Sequence, residues 1–200
     1  MQLTNSIEEL RAEIARREGQ KPETPEGQAD YGLDLANLHL TLAVAHLRRQ
    51  ENEPAIEHLK KSLEYRPAPV THAYLGAALL DEYQVAAARE HLDRAVELGP
   101  EEMLVYLKYG EFNYKLGFYP QAVENLEKAV RLQAPNEATA RYLVALLEKA
   151  RKHNRNVIVR APVSWKGPGL GRLFSRLAGG RAKGRPETGF GAGLVKSEGE

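Results

Sequence analysis

Apolar residues recur at intervals of three and four along most of the first 150 positions, the spacing of one face of an α-helix rather than the alternation of a strand. Leu143, Leu146, Leu147 and Ala150 show it plainly. Interruptions by Pro, Gly and polar clusters divide the pattern into predicted helices at 34–49, 53–65, 70–82, 85–98, 102–116, 120–132 and 137–152. A further amphipathic stretch covers 5–18, with Leu3, Ile7, Leu10 and Ile14 on one stripe and Ser6 three residues before Glu9, a capping-box spacing. Between it and the next helix, 19–30 (GQKPETPEGQAD) reads as a linker.

The helical pattern repeats. Gly76 and Gly110 are 34 apart, and the same offset joins Ala88 to Ala122, Leu92 to Leu126, Ala95 to Ala129 and Leu98 to Leu132. A step of 33 leads back to Ala55, Leu59, Ser62 and Pro67 from Ala88, Leu92, Ala95 and Pro100. Ala43, Gly76 and Gly110 share one position, where a small residue lets a second helix approach. Ala55, Ala88 and Ala122 serve the partner helix in the same way, and Leu59, Leu92 and Leu126 fill the space between. Pro67, Pro100 and, one residue late, Pro135 follow the second helix of each unit, where proline cannot continue it. The first unit lacks the glycine pair and carries Pro54 early in its second helix, where a proline is tolerated.

At these residues the chain resembles the tetratricopeptide-repeat family, whose unit is a helical hairpin of about 34 residues. The third unit, MLVYLKYGEFNYKLGFYPQAVENLEKAVRLQA, carries the resemblance best, through Tyr109, Gly110, Gly117, Tyr119, Ala122, Leu126 and Ala129. The resemblance implies an all-α fold: a right-handed superhelical stack of hairpins at about 36–68, 69–102 and 103–136, capped by a helix over 137–153. Residues 1–30 then form an N-terminal helix and linker, 31–153 the solenoid and 154–200 a tail. The resemblance also implies a concave groove built from the first helix of each unit. Its positions here are Asn37, Leu40, Val44 and Leu47; then Val70, Ala73, Ala77, Leu80 and Asp81; then Leu104, Leu107, Glu111, Tyr114 and Lys115. Most are apolar, which excludes the subset of the family that clamps an acidic C-terminus with Lys, Asn and Arg at these positions. An open apolar groove implies an occupant. The expected occupants are a peptide or helix of another protein, or this chain's own N-terminal helix.

Charge alters the picture at one end. Residues 1–150 carry a net −7 and residues 151–200 a net +8, together the whole-chain +1. Ten basic residues occur from Arg151 to Arg185, and no acid lies between Glu148 and Glu187. Leu170, Leu173, Phe174 and Leu177 have helical spacing, but Gly171, Gly179 and Gly180 limit that helix to about two turns, too short to hold alone. A flexible basic tail is expected, contacting an anionic or protein surface through Arg160, Trp165, Lys166, Arg172, Leu173, Phe174, Arg176, Leu177, Arg181, Lys183 and Arg185. RNA, the ribosome and an anionic membrane are the alternatives to a protein surface.

Other chemistry is excluded step by step. Cys is absent, which removes disulfides, thiolate metal sites and cysteine nucleophiles. Of six histidines, His39 and His72 share one repeat position and His58 and His91 another, which points to packing between helices rather than to a metal. Acids such as Glu51, Glu53, Glu101 and Glu102 fall at helix starts, where they favour the macrodipole. No serine sits in a nucleophile elbow. Val157, Ile158 and Val159 followed by GPGLGRLF mimic a strand and a phosphate loop, but the full glycine motif is missing. Apolar runs are too short to cross a membrane, and the acidic start does not suit a signal peptide. The expectation is a cytoplasmic, non-enzymatic adaptor or scaffold without cofactor or metal. The alternative is a nucleic-acid- or ribosome-associated accessory protein acting through the tail.

Overall fold

A computed structural model describes residues 7–132 and 134–160, with side chains as far as 155. Eight helices and no strand occur among the described residues: α1 (Ile7–Glu18), α2 (Pro25–Arg48), α3 (Asn52–Tyr65), α4 (Pro69–Asp81), α5 (Val85–Leu98), α6 (Met103–Lys115), α7 (Tyr119–Arg131) and α8 (Glu137–Arg160). The chain folds as a series of antiparallel hairpins, with α2 on α3, α4 on α5 and α6 on α7, and α8 closing the last against α7. Successive hairpins meet through α3 and α4, α4 and α6, and α5 and α6.

The small-residue positions explain the close pairing. A β-carbon built on Gly76 would lie 2.8 Å from the Ala88 carbonyl oxygen, and one on Gly110 would lie 2.6 Å from Leu126 Cγ. Ala43, Ala55, Ala88 and Ala122 are fully buried, as are Leu59, Leu92 and Leu126. Ser62 occupies the place of Ala95 and Ala129. Its hydroxyl donates to the Ala36 carbonyl at 2.8 Å, which satisfies a polar group in the core.

Each hairpin turns in the same way. Gln50, Tyr83 and Gly117 adopt φ of 61°, 59° and 79°. The next amide in each case donates back five residues: Glu51 to His46, Gln84 to Leu79 and Phe118 to Asn113. This is the Schellman arrangement, in which one left-handed residue lets the last carbonyls of a helix find donors. Only the third unit uses the glycine that φ favours.

Two boundaries differ from the sequence expectation. The segment 19–30 is not all linker, because α2 begins at Pro25 and adds more than two turns to its expected start. Thr24 caps it, its Oγ1 accepting from the Gly27 amide at 3.3 Å, and Pro25 stands at the start of the helix, where its missing N–H costs nothing. These turns are exposed and polar, so no apolar period marks them. At the other end α8 continues to Arg160, so Val157, Ile158 and Val159 are helical rather than strand-like.

The N-terminal helix does not lie in the groove. α1 packs on α2 and on no other described helix. Ile7, Leu10 and Ile14 close over Leu35 and Leu42, with Tyr31, Leu38 and Ala45 around them. Arg17 Nη1 reaches Asp34 Oδ2 at 2.8 Å across the same interface. The described part of the stripe therefore finds its burial on the flank of α2, as an additional hairpin arm, while Leu3 lies outside the described residues. Of the two occupants expected for the concave face, this chain's own helix lies elsewhere.

Candidate peptide groove

One cavity of about 860 Å³ runs along the faces of α2, α4, α6 and α8. From α2 it takes Val44, Leu47 and Arg48, with Gln50 at the turn that follows and Asn52 at the start of α3. Tyr74, Ala77, Ala78 and Asp81 come from α4. Lys108, Glu111, Tyr114 and Lys115 come from α6, and Tyr142, Ala145, Leu146 and Lys149 from α8. The helices follow one another in that order, since α2 touches α4, α4 touches α6 and α6 touches α8. This is a trough open to solvent, with an aliphatic start, a tyrosine-rich middle and charged rims.

Its charges are largely used. Lys115 pairs with Asp81 across the α4–α6 gap, and Lys108 Nζ lies 3.0 Å from Glu111 Oε2. Lys108 also stands 5.3 Å from the centre of the Tyr74 ring, a cation–π distance. Burial, then the nearby Glu111 carboxylate, raises the Tyr142 phenol above its ordinary range, so it stays a neutral donor. His153 stacks on Tyr119 with ring centres 5.0 Å apart and meets the edge of Tyr114, which fixes α8 beside the groove.

The structure sorts the sequence-derived positions. Val44, Leu47, Ala77, Asp81, Glu111, Tyr114 and Lys115 line the trough. Ala73, Leu80 and Leu107 are buried in the cores and unavailable to a ligand. These three are corrections: in each case the side chain packs between hairpins. Leu40 and Leu104 are partly buried against those cores. Val70 is half-buried and outside the trough. Asn37 lines a separate recess of about 220 Å³ beside α1. Arg160 ends α8, and the remaining tail positions, from Trp165 to Arg185, lie outside the described residues.

Sequence reasoning missed Arg48, Tyr74, Lys108 and the whole contribution of α8. Tyr142, Ala145 and Lys149 are spaced three and four apart and interleave with the buried Leu143, Leu147 and Ala150. That second stripe was a readable signal.

Four of the six histidines form two hydrogen-bonded pairs. His39 and His58 approach Nδ1 to Nδ1 at 3.1 Å, and His72 and His91 at 3.0 Å. The ring centres are 5.3 and 5.2 Å apart, farther than the nitrogens by about one ring width. Both nitrogens therefore lie near the line between rings, one donating and one accepting. Burial holds His39 and His58 at a pKa of about 4, with Lys61 the next cause for His39 and the His39 charge for His58. The second pair is lowered in the same direction.

Among solved structures, the chain is similar to the first tetratricopeptide (TPR) domain of Spaghetti (RPAP3), bound to the HSP90 peptide SRMEEVD. Identity is 17%, the TM-score is 0.53, and the match covers 63% of this chain and 98% of that one. The Arabidopsis OM64 TPR domain is similar at 15% identity and a TM-score of 0.51, covering 61% of this chain and 98% of that one. The chain has the tetratricopeptide-repeat fold. No family model and no curated protein matches it. In this TPR fold, α2 to α7 supply the three repeats, α1 an extra arm against the first, and α8 a final helix that also walls the groove. No described helix is long and apolar enough to cross a membrane.

Proposed function

We propose that this chain is a non-enzymatic interaction module that holds a peptide or helix of another protein in the trough formed by α2, α4, α6 and α8. The observation that carries the reading is that trough, whose aliphatic and tyrosine surface is uncovered by any described segment. Half-exposed Tyr142 and Tyr114, with Leu47 and Val44 beside them, offer rigid apolar area of the kind that anchors binding at low entropic cost. The similar RPAP3 domain, which binds an HSP90 peptide, supports a peptide as the occupant.

The test is affinity capture with three proteins: the full chain, an Ala77→Trp variant and a chain ending at Arg160. Ala77 is half-buried on the trough floor, so the indole fills the groove without entering a core. Partners held by the groove are lost with Ala77→Trp and kept by the shortened chain. If every partner survives Ala77→Trp and is lost on shortening, the interaction belongs to the basic tail and the groove reading fails. An exposed cationic tail bound to nucleic acid would then also show a steep dependence on salt.

A further inference from the structure

The trough holds four cations and two acids. Both acids are engaged, Asp81 by Lys115 and Glu111 by Lys108. Arg48 and Lys149 are exposed, and neither has an ion-pair or hydrogen-bond partner among the described residues. Arg48 is on α2, the first wall of the groove, and Lys149 on α8, the last. The free positive charge therefore sits at the two ends, and the space between is neutral, aliphatic and aromatic. This arrangement stands out because the residues up to 150 are net negative.

Resting on the groove reading above, we propose that the ligand is an internal segment of a partner protein with carboxylate side chains at both ends of an apolar or aromatic stretch. The α-carboxylate of a chain terminus would meet one end only, so the other end still calls for an acidic side chain. On the inner helices the two cations, Lys108 and Lys115, are already paired with Glu111 and Asp81, and Ala77 and Ala78 beside them carry no side-chain donor for a clustered anion. Acidic side chains at both ends of the segment would instead meet Arg48 and Lys149, each on the rim where a charge is only partly desolvated. Complementary rim charges fix register and exclude wrong partners more than they add raw affinity. The tyrosines supply the anchor and the two cations choose the sequence. The whole-body negative potential works against an acidic ligand, but screening confines it to about 8 Å at physiological salt, so the adjacent cations decide.

The probe is a phage-displayed library of random dodecapeptides, each followed by a common linker so that no free terminus is offered. It is panned on the full chain, and selected peptides are measured by fluorescence anisotropy. The expected peptides are net negative, with acids flanking an apolar centre. Their affinity falls tenfold or more with Arg48→Glu and Lys149→Glu combined, falls less with each alone, and is lost with Ala77→Trp. Both charge changes are at exposed positions, and circular dichroism confirms that the variants fold. Neutral or basic peptides that are still lost with Ala77→Trp would overturn the acidic ligand and leave the groove reading standing. A panning that yields no peptide dependent on Ala77 would overturn both.

Discussion

Gly76 and Gly110 occupy the same repeat position, yet alanine should behave differently at each. At Gly110 the new β-carbon meets only the Leu126 side chain closely, at 2.6 Å from Cγ and Cδ2. At Gly76 it meets Leu92 Cγ at 2.8 Å and also the Ala88 carbonyl oxygen at 2.8 Å. A side chain can be trimmed, but a carbonyl inside α5 moves only if α4 and α5 separate. Overpacking costs about 1–3 kcal/mol, and replacing a helical glycine by alanine returns about 0.5–1 kcal/mol. The net expectation is a loss of roughly 0–2.5 kcal/mol for Gly110→Ala, with Gly76→Ala at the upper end. At about 2–4 °C per kcal/mol for a chain of this size, the melting temperature falls by at most about 10 °C. The single variants alone do not separate the two causes, but double-mutant cycles do. Leu126→Ala itself costs about 2–5 kcal/mol by leaving a cavity. In that background Gly110→Ala should turn from harmful to stabilising, because its obstacle is gone and the helix gain remains. Gly76→Ala should stay harmful in a Leu92→Ala background, because the Ala88 carbonyl is still there. Urea unfolding of both cycles measures this. Equal relief in the two cycles would refute the backbone argument, and no relief at Gly110 would refute the close contact itself.

Acid should weaken the fold through the histidine pairs. Their folded pKa values lie below the ordinary 6.5, at about 4 for His39 and His58, so their stabilisation is complete above pH 6.5 and is lost as the pH falls towards 4. Well below pH 6.5 the slope approaches about 1.4 kcal/mol per pH unit for each histidine kept neutral, and His39→Gln should flatten it in urea midpoints between about pH 6.5 and 4.5; an unchanged slope would refute the assignment. Tyr83 is 91% exposed with φ 59° and packs on nothing that repays the strain. Tyr83→Gly should raise stability by up to about 1 kcal/mol and Tyr83→Val should lower it, and the reverse order in thermal melts would count against a left-handed turn. Removing residues 1–22 should bare Leu35 and Leu42 and raise the fluorescence of a hydrophobic dye, while peptide affinity in the groove stays unchanged. A rise in that affinity would place α1 in the groove after all.

The repeat and its hairpins were legible from the chain alone, because packing of identical units demands the same small or bulky residue at the same place each time. Gly76 with Gly110, and Leu92 with Leu126, are enough to set the period, and the period sets the helix boundaries to within a residue or two between Asn52 and Arg131. Unrepeated parts gave no such cross-check. The early turns of α2 are polar and exposed, so only the cap at Thr24 marked them, and the last turns of α8 resembled a strand in composition. The position of α1 was likewise undecided. Its apolar stripe required burial, but a stripe fits any apolar face, and only the tertiary fold chose Leu35 and Leu42 over the trough. The trough itself is a product of curvature. Whether Ala73 or Ala77 lines the trough depends on a rotation of one helix against two neighbours, which helical spacing along a single helix cannot specify. The charges follow the same rule. The sequence counts Arg48, Asp81, Lys115 and Lys149 alike, and only their placement on α2, α4, α6 and α8 neutralises the inner pair and leaves the outer two free.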